Sequence, residues 1–363
     1  MTFAPVFLNG RAGSEKLEER IHRMIELHFH PDRGSAFWIE RAARMGLDVR
    51  REIRRLEDLA LLGSMTPADL QARPLRDYIP RKFHTRMDRF ILGQTSGTTG
   101  TGSWTAYRDD EFTEAFVLPF VEAARHVGFP AQEPWLFVGP SGPHIIGRVA
   151  RHLANAFGAA DAFAVDFDAR WVRRLPEGSF ARERYIQHLV EQAGEVIARQ
   201  EVGVLFTTPA ILQHLAEALT PEQRARIHGV HYGGMALAPD ALQRFQQESF
   251  PKAVHLSGYG NTLFGCCLEL NVAAGRQLDY FPYGDRLIFE VVDEEGNPLP
   301  PGETGRVRFT RLDESMLMIR MLERDEGVLV APPENAPAGF QNPGIRNPCA
   351  AAREGAPGVS GLY

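Results

Sequence analysis

Residues 93–104 read Gly-Gln-Thr-Ser-Gly-Thr-Thr-Gly-Thr-Gly-Ser-Trp directly after the apolar pair Ile91-Leu92, and no other stretch limits the chain as tightly. Gly97, Gly100 and Gly102 let the backbone turn its N–H groups toward an anion with no Cβ in the way, and Thr95, Ser96, Thr98 and Thr99 add hydroxyl donors. That is the chemistry of a phosphate cradle, with triphosphate as the natural guest. It is not a Walker A loop, because no Gly-Lys-Ser/Thr follows at the required spacing. A glycine-threonine cluster taken alone also describes a flexible surface turn. The order of these residues favours the cradle.

Composition narrows the partners. A chain of 363 residues with 44% hydrophobic content can bury a large core and exceeds the usual single-domain size, so subdomains are expected. Its formal charge of −6, without a basic stripe, gives no footprint for nucleic acid or for an anionic membrane, and a small-molecule partner fits better. Three cysteines, two of them the neighbours Cys266 and Cys267, build no disulfide framework and make a poor metal clamp. The N-terminus has neither a basic leader nor a long apolar run, which reads as a cytoplasmic protein.

Along the chain, Ser14 followed by Glu15, Leu17, Glu18, Ile21, Met24, Ile25 and Phe29 predicts a helix capped at Ser14. From about residue 115 to 260, helical stretches alternate with the apolar runs Trp135–Val138, Val202–Phe206, Ile227–Tyr232 and Ala253–Leu256, the rhythm of parallel strands with crossover helices. Thr208-Pro209 is a helix start, with proline where its missing N–H costs nothing. This reading puts the 93–104 loop and the Gly233-Gly234 turn at strand ends, where open α/β sheets place ligands. Arg286–Asp293 and Gly305–Leu312 predict a hairpin around Glu294–Asn297, and from Ala331 the Pro/Gly/Ala/Asn-rich sequence predicts an irregular tail.

Thr95-Ser96-Gly97-Thr98-Thr99-Gly100 resembles the phosphate-binding signature of the adenylate-forming superfamily, which holds acyl- and aryl-CoA ligases, peptide-synthetase adenylation domains and luciferases. Three further segments match in the family's order. His231–Leu237 resembles the strand and Gly-Gly turn that line the acyl and adenine pockets; Ser257-Gly258-Tyr259-Gly260-Asn261-Thr262 resembles the Tyr-Gly-x-Thr-Glu motif; Gly302–Gly305 with Ile319–Asp325 resembles the segment ending in the ribose-binding aspartate. The resemblance covers roughly residues 80–325 and implies an α/β fold, the large N-terminal core of these enzymes, with two parallel-sheet subdomains and a small β-rich one. It assigns residues 1–280 to the α/β core, 281–325 to the β-rich subdomain and 326–363 to the tail, which is too short for the mobile C-terminal lid of full-length members, so that lid is expected to be absent.

The same resemblance implies the site. Thr95, Ser96, Gly97, Thr98, Thr99 and Gly100 would hold the ATP phosphates, with Thr98 and Thr99 taking the catalytic role; Gly233, Gly234, Met235, Ser257, Gly258, Tyr259, Gly260, Asn261 and Thr262 would contact nucleotide; Asp325 would accept both ribose hydroxyl protons. Gly233, Tyr259 and His144 would border the acid. Asp325 as a turn aspartate, Tyr259 as a half-buried aromatic and His144 as a structural histidine are the plainer readings. Trp135, Phe137 and Phe157 suit a flat substrate or a core equally. Two residues depart from the family pattern: Ser103 stands where most relatives have lysine, and Leu263 stands where a magnesium-binding carboxylate is usual. Mg²⁺ would then arrive with ATP, held mainly by its phosphates and by Thr98 or Thr99, with no protein metal site; Glu269 is a nearby substitute for the missing carboxylate, though a strand or surface charge is its plainer reading.

Within the superfamily the chain resembles the phenylacetate-CoA ligase branch, above all the adenylating proteins of phenazine antibiotic biosynthesis, and more distantly the acyl-protein synthetases of bacterial bioluminescence. That implies activation of an aromatic carboxylic acid as its acyl-adenylate, of weak or partner-dependent activity, for hand-over to an acyl reductase or a thiol. Fatty-acid activation and aryl-acid or nucleotide binding without turnover stay open, as does a homodimer. Cys349 in the tail is a candidate acyl acceptor only by analogy with the bioluminescence proteins, and a tail cysteine is more often inert.

Overall fold

The computed structural model describes residues 16–95, 102–270 and 277–351. Their contacts gather into two units. The first holds the described residues up to Leu118, Leu263–Gly265 and Phe281–Ala351; the second holds Pro119–Thr262 and Cys266–Tyr280.

The first unit begins helically. Leu17–His28 forms a helix with Ile21, Met24 and Ile25 buried along one face, as the spacing predicts, while the expected cap Ser14 lies outside the described residues. Strands β1 (Phe90–Gln94) and β2 (Trp104–Arg108) pair antiparallel with Gln94 opposite Trp104. The glycine-hydroxyl stretch therefore follows a strand end, as expected, and that strand belongs to an antiparallel pair rather than to the parallel sheet. Two adjacent antiparallel strands can be joined by a tight loop, whereas a parallel pair needs a crossover.

In the second unit the apolar runs become β3 (Trp135–Gly139), β4 (Phe163–Asp166), β5 (Val204–Thr207), β6 (Gly229–Tyr232), β7 (Val254–Asn261), β8 (Gly265–Glu269) and β9 (Asp279–Phe281). Their order is β9-β8-β7-β6-β5-β3-β4, and β4, β3, β5, β6 and β7 run parallel. Every residue of β3, β5 and β6 is buried, the state of parallel strands whose two faces are both covered by crossover helices. One of those helices, Pro209–Ala218, starts as predicted, with the Thr208 hydroxyl accepting from Ile211 N and Pro209 in its first turn.

The remaining strands of the first unit are β10 (Leu287–Val292), β11 (Thr304–Leu312), β12 (Leu317–Val330) and β13 (Gly344–Ala350), an antiparallel ladder in that order. The β10–β11 hairpin is the predicted one. The expectation of an irregular tail over 326–363 is corrected for residues 344–350, which pair with β12. β12 is bulged where Arg320 takes a positive φ of 49° and donates its N–H to Thr310 Oγ1 at 3.1 Å. Met65 pairs into the irregular stretch through Ile319 O and Leu322 N, and Trp38 Nε1 donates to Leu317 O at 3.1 Å. Among the described residues no helix is long and apolar enough to cross a membrane.

Candidate functional site

Two of the predicted site residues that can be described lie in the first unit. Thr95 closes the neck of the glycine-hydroxyl stretch: its N–H donates to Ser103 O at 2.9 Å and its Oγ1 accepts from Ser103 N at 2.9 Å. A side chain at Gly102 would place its Cβ 2.4 Å from Thr95 O, so this neck requires glycine. Ser96, Gly97, Thr98, Thr99 and Gly100 lie outside the described residues. Ser103, where relatives carry lysine, is buried, a poor setting for an ammonium. Asp325 is a half-buried residue of β12 opposite Ala350, not a turn residue.

Cys349 sits on β13 opposite Glu326 rather than in a flexible segment. Cys349 is exposed at the surface; partial desolvation by its neighbours first, and then the Asp325 and Glu326 carboxylates, push its thiol above the usual range.

His144, Gly233, Gly234, Met235 and Ser257–Thr262 lie in the second unit. Gly233 follows β6 and donates to Thr207 O at 3.2 Å; Gly234 takes φ +81°, and the helix Pro239–Arg244 starts soon after. His144 is buried at the start of the helix Ile145–Ala156, and burial, then Arg170 and Arg173, lower its pKa. A neutral imidazole there cannot serve as a cationic clamp for a carboxylate. His231 is a core residue, with its Nδ1 at 2.9 Å from Leu256 O, its ring 4.4 Å from that of Phe206, and burial lowering its pKa to about 4. Trp135 and Phe157 pack edge-on against Phe120, and Phe137 against Phe206, so these aromatics are core rather than a flat pocket wall.

Ser257–Asn261 forms the end of β7. A Cβ on Gly258 would stand 3.0 Å from Cys266 Sγ and 3.3 Å from His231 Cε1, which is why the strand carries no side chain there. Ser257 Oγ and Tyr280 Oη are 2.7 Å apart, and the half-buried Tyr259 ring lies 6.0 Å from that of Tyr280. Tyr232 Oη meets His255 Nδ1 at 2.5 Å, and His255 Nε2 meets Phe250 O at 3.1 Å. Because a carbonyl can only accept, Nε2 carries the proton and Nδ1 accepts from Tyr232. Glu269 on β8 is buried; burial and then Asp279 raise its pKa to about 8.

Leu263 places a buried apolar side chain at the position of the family carboxylate, and its backbone is tied down within the first unit. Its carbonyl accepts from Arg311 Nη1 at 2.9 Å, and that of Phe264 accepts from Arg286 Nη1 at 2.6 Å. Both guanidinium groups converge on Asp313, Arg286 through Nε at 3.1 Å and Nη2 at 2.5 Å, Arg311 through Nε at 2.5 Å. Burial alone would raise the Asp313 carboxyl, but the two arginines outweigh it and hold it well below the usual range. Arg311 also donates to Thr105 Oγ1 and Ala106 O, with its guanidinium carbon 3.7 Å from the centre of the Tyr107 ring. Sequence reasoning missed this cluster. Its one signal is an arginine at either end of the hairpin, Arg286 just before β10 and Arg311 near the end of β11.

With this geometry in place, comparison with known proteins adds three findings. Residues 184–311 match the AMP-binding enzyme family. No curated protein sequence matches the chain. In structure it resembles 2-hydroxyisobutyryl-CoA ligase: in the postadenylation state with 2-HIB-AMP the TM-score is 0.67 at 16% identity, covering 96% of this chain and 71% of that one. In the thioesterification state of that ligase, with 2-HIB-AMP and CoA, the values are 0.65, 17%, 91% and 66%. The chain thus spans about two thirds of the ligase's length. At this identity the likeness establishes the fold, the α/β core of adenylate-forming enzymes.

Proposed function

We propose that the protein activates a carboxylic acid as its acyl-adenylate. The observation that carries this reading is the AMP-binding family match over residues 184–311, which contains both the Gly233-Gly234 turn and the Ser257–Thr262 strand end, in a chain with the matching fold. A carboxylate is a poor electrophile. Attack of its oxygen on the α-phosphorus of ATP breaks the bond to pyrophosphate and leaves a mixed anhydride with AMP as leaving group. The backbone N–H groups and hydroxyls of Ser96–Gly100 stabilise the charge that develops on the phosphates, and Asp325 accepts from the ribose hydroxyls.

Mg²⁺, when bound, neutralises phosphate charge. The residues present fit it only as a passenger on ATP: Leu263 offers no carboxylate, its carbonyl is engaged by Arg311, and no group of three or more metal-ligating side chains occurs among the described residues. Thr98 or Thr99 would supply the protein oxygen.

The acid is aromatic in this proposal, and the acyl group passes to a reductase or thiol acceptor, as in phenazine-type metabolism; the resemblance to phenylacetate-CoA ligases supports both points. A second reading, binding of acid and nucleotide without turnover, is favoured by Leu263. Acid-dependent exchange of labelled pyrophosphate into ATP separates them: exchange supports the ligase, whereas saturable binding of both ligands without exchange supports the second reading.

A further inference from the structure

We propose that Glu269, with the Ser257–Tyr280 hydroxyl pair, recognises a hydroxyl group on the acid, so that a hydroxylated acid is preferred over its unsubstituted and amino analogues. The inference deepens the acid-activation reading and rests on it for the nature of the ligand.

The argument starts from polar groups left without a use. Glu269 is 3% exposed, and the causes of its raised pKa are burial and then Asp279, with no hydrogen bond among them. Buried carboxyls are almost always partnered, and one that is not requires an explanation. Ser257 is 1% and Tyr280 4% exposed, and the 2.7 Å contact between them consumes one of their two O–H protons. Ser257 is the one hydrogen-bond partner among the causes of the raised Tyr280 pKa, so the pair holds a second O–H proton to offer a ligand. Tyr232 does not resolve either shortfall, because its own proton goes to His255, whose second nitrogen is occupied by Phe250 O.

These groups belong together. They sit on the adjacent strands β7, β8 and β9, and the Glu269 carboxyl helps to raise the pKa of both Tyr232 and Tyr280. Tyr259, which the acid-activation reading sets beside the acid, packs its ring against Tyr280. With its pKa raised to about 8 by burial and then Asp279, Glu269 is mainly a neutral acid at pH 7, offering one donor and one acceptor. An alcohol offers the same complement. It can satisfy the carboxyl and the spare hydroxyl proton together without bringing charge into a desolvated place, whereas an ammonium would have to be stripped of water and would need the carboxyl ionised.

The test is isothermal calorimetry on the full chain at pH 7 with benzoate, 3-hydroxybenzoate, 4-hydroxybenzoate, butyrate, 3-hydroxybutyrate and 3-aminobutyrate, whose aliphatic amine is an ammonium at that pH. The wild type should bind at least one hydroxy acid about tenfold more tightly than its unsubstituted partner, the worth of one net hydrogen bond. In Glu269→Leu that ratio should fall to about one, while Glu269→Gln keeps most of it. If Glu269→Leu does not fold, Ser257→Ala decides, with an expected drop in the ratio of about threefold. Equal affinities in the wild type, a ratio that survives Glu269→Leu (or Ser257→Ala, where that variant decides), tighter binding of the amino acid, or no binding by any member of the panel overturns the proposal. Binding needs no turnover, so a hydroxyl preference without pyrophosphate exchange would defeat the ligase reading and leave this one standing.

Discussion

Replacing Asp313 by asparagine removes the one carboxylate on which Arg286 and Arg311 both converge. The aspartate side chain is fully buried, with side-chain exposures of 4% for Arg286 and 0% for Arg311. Arg311 would keep four of its donor contacts, to Thr105, Leu263, Ala106 and Ser315. Arg286 would keep Phe264 O and its contact with Tyr107. Removing one partner of a buried ion pair costs about 3–5 kcal/mol, chiefly because a desolvated charge is left uncompensated. Two effects reduce this. Asparagine still accepts one hydrogen bond, and Glu111, which Asp313 repels, becomes easier to ionise and supplies part of the missing charge. We therefore expect about 3 kcal/mol, a large fraction of the roughly 5–15 kcal/mol that holds a folded protein together. Urea denaturation at pH 7 followed by fluorescence measures it, with Glu26→Ala as control, since that residue's pair with Arg50 is exposed and worth less than about 1 kcal/mol. Amide exchange at Phe264 and Gly265 should accelerate in the same variant, because their anchor loosens. A loss below about 1 kcal/mol, or no difference from the control, refutes the assignment of Asp313 as the hub of the first unit.

Other consequences follow from single residues. Glu111, buried and close to Asp313, has its pKa raised from 4.5 to about 7, so the folded state is favoured at low pH and this contribution fades as pH rises from 4.5 through 7. Glu111→Gln should flatten the fall in stability over that range by up to about 3 kcal/mol, and an unchanged pH profile speaks against it. Gly258→Ala should lower thermal stability by about 1–3 kcal/mol, because the new methyl meets Cys266 Sγ at 3.0 Å, and Cys266→Ala should restore part of the loss; no restoration means that the strain lies elsewhere. Asp325→Ala should weaken ATP or AMP binding by about 1.5–3 kcal/mol in calorimetry, and unchanged affinity removes its ribose role. Cys349 should react with iodoacetamide more slowly than a free thiol at pH 7, and faster in Glu326→Gln; rapid alkylation in the wild type contradicts the raised thiol pKa.

What could be read in advance depended on whether the signal was carried by side chains. Trp135–Val138, Val204–Phe206 and Gly229–Tyr232 announce themselves because strands buried on both faces must be apolar throughout. The Thr208-Pro209 helix start is legible because capping is local. β13 is different. Its sequence Gly-Ile-Arg-Asn-Pro-Cys-Ala holds a proline and an asparagine at φ +47°, and these fall where the register with β12 shifts between Glu326 and Val328. Only the backbone of β12 makes it a strand, and no periodicity reports that. The Arg286–Arg311–Asp313 cluster is equally silent, since an internal ion pair is written in distant residues of ordinary type. At the candidate site the motif glycines were legible through their close approaches. The burial of His231 and of the aromatic trio was not, because a histidine or phenylalanine beside a motif reads alike as wall or as core.

The central claim is acid activation, and acid-dependent pyrophosphate exchange tests it most directly. The purified chain is incubated with ATP, Mg²⁺, labelled pyrophosphate and a panel of aromatic and fatty acids, with Thr98→Ala and Thr99→Ala alongside. The account predicts label entering ATP only when a cognate acid is present, with a rate reduced in both variants by more than their ATP affinity falls, because those hydroxyls act most strongly as charge develops in the transition state. No exchange above the acid-free background with any acid, from a chain that still binds ATP, would contradict it.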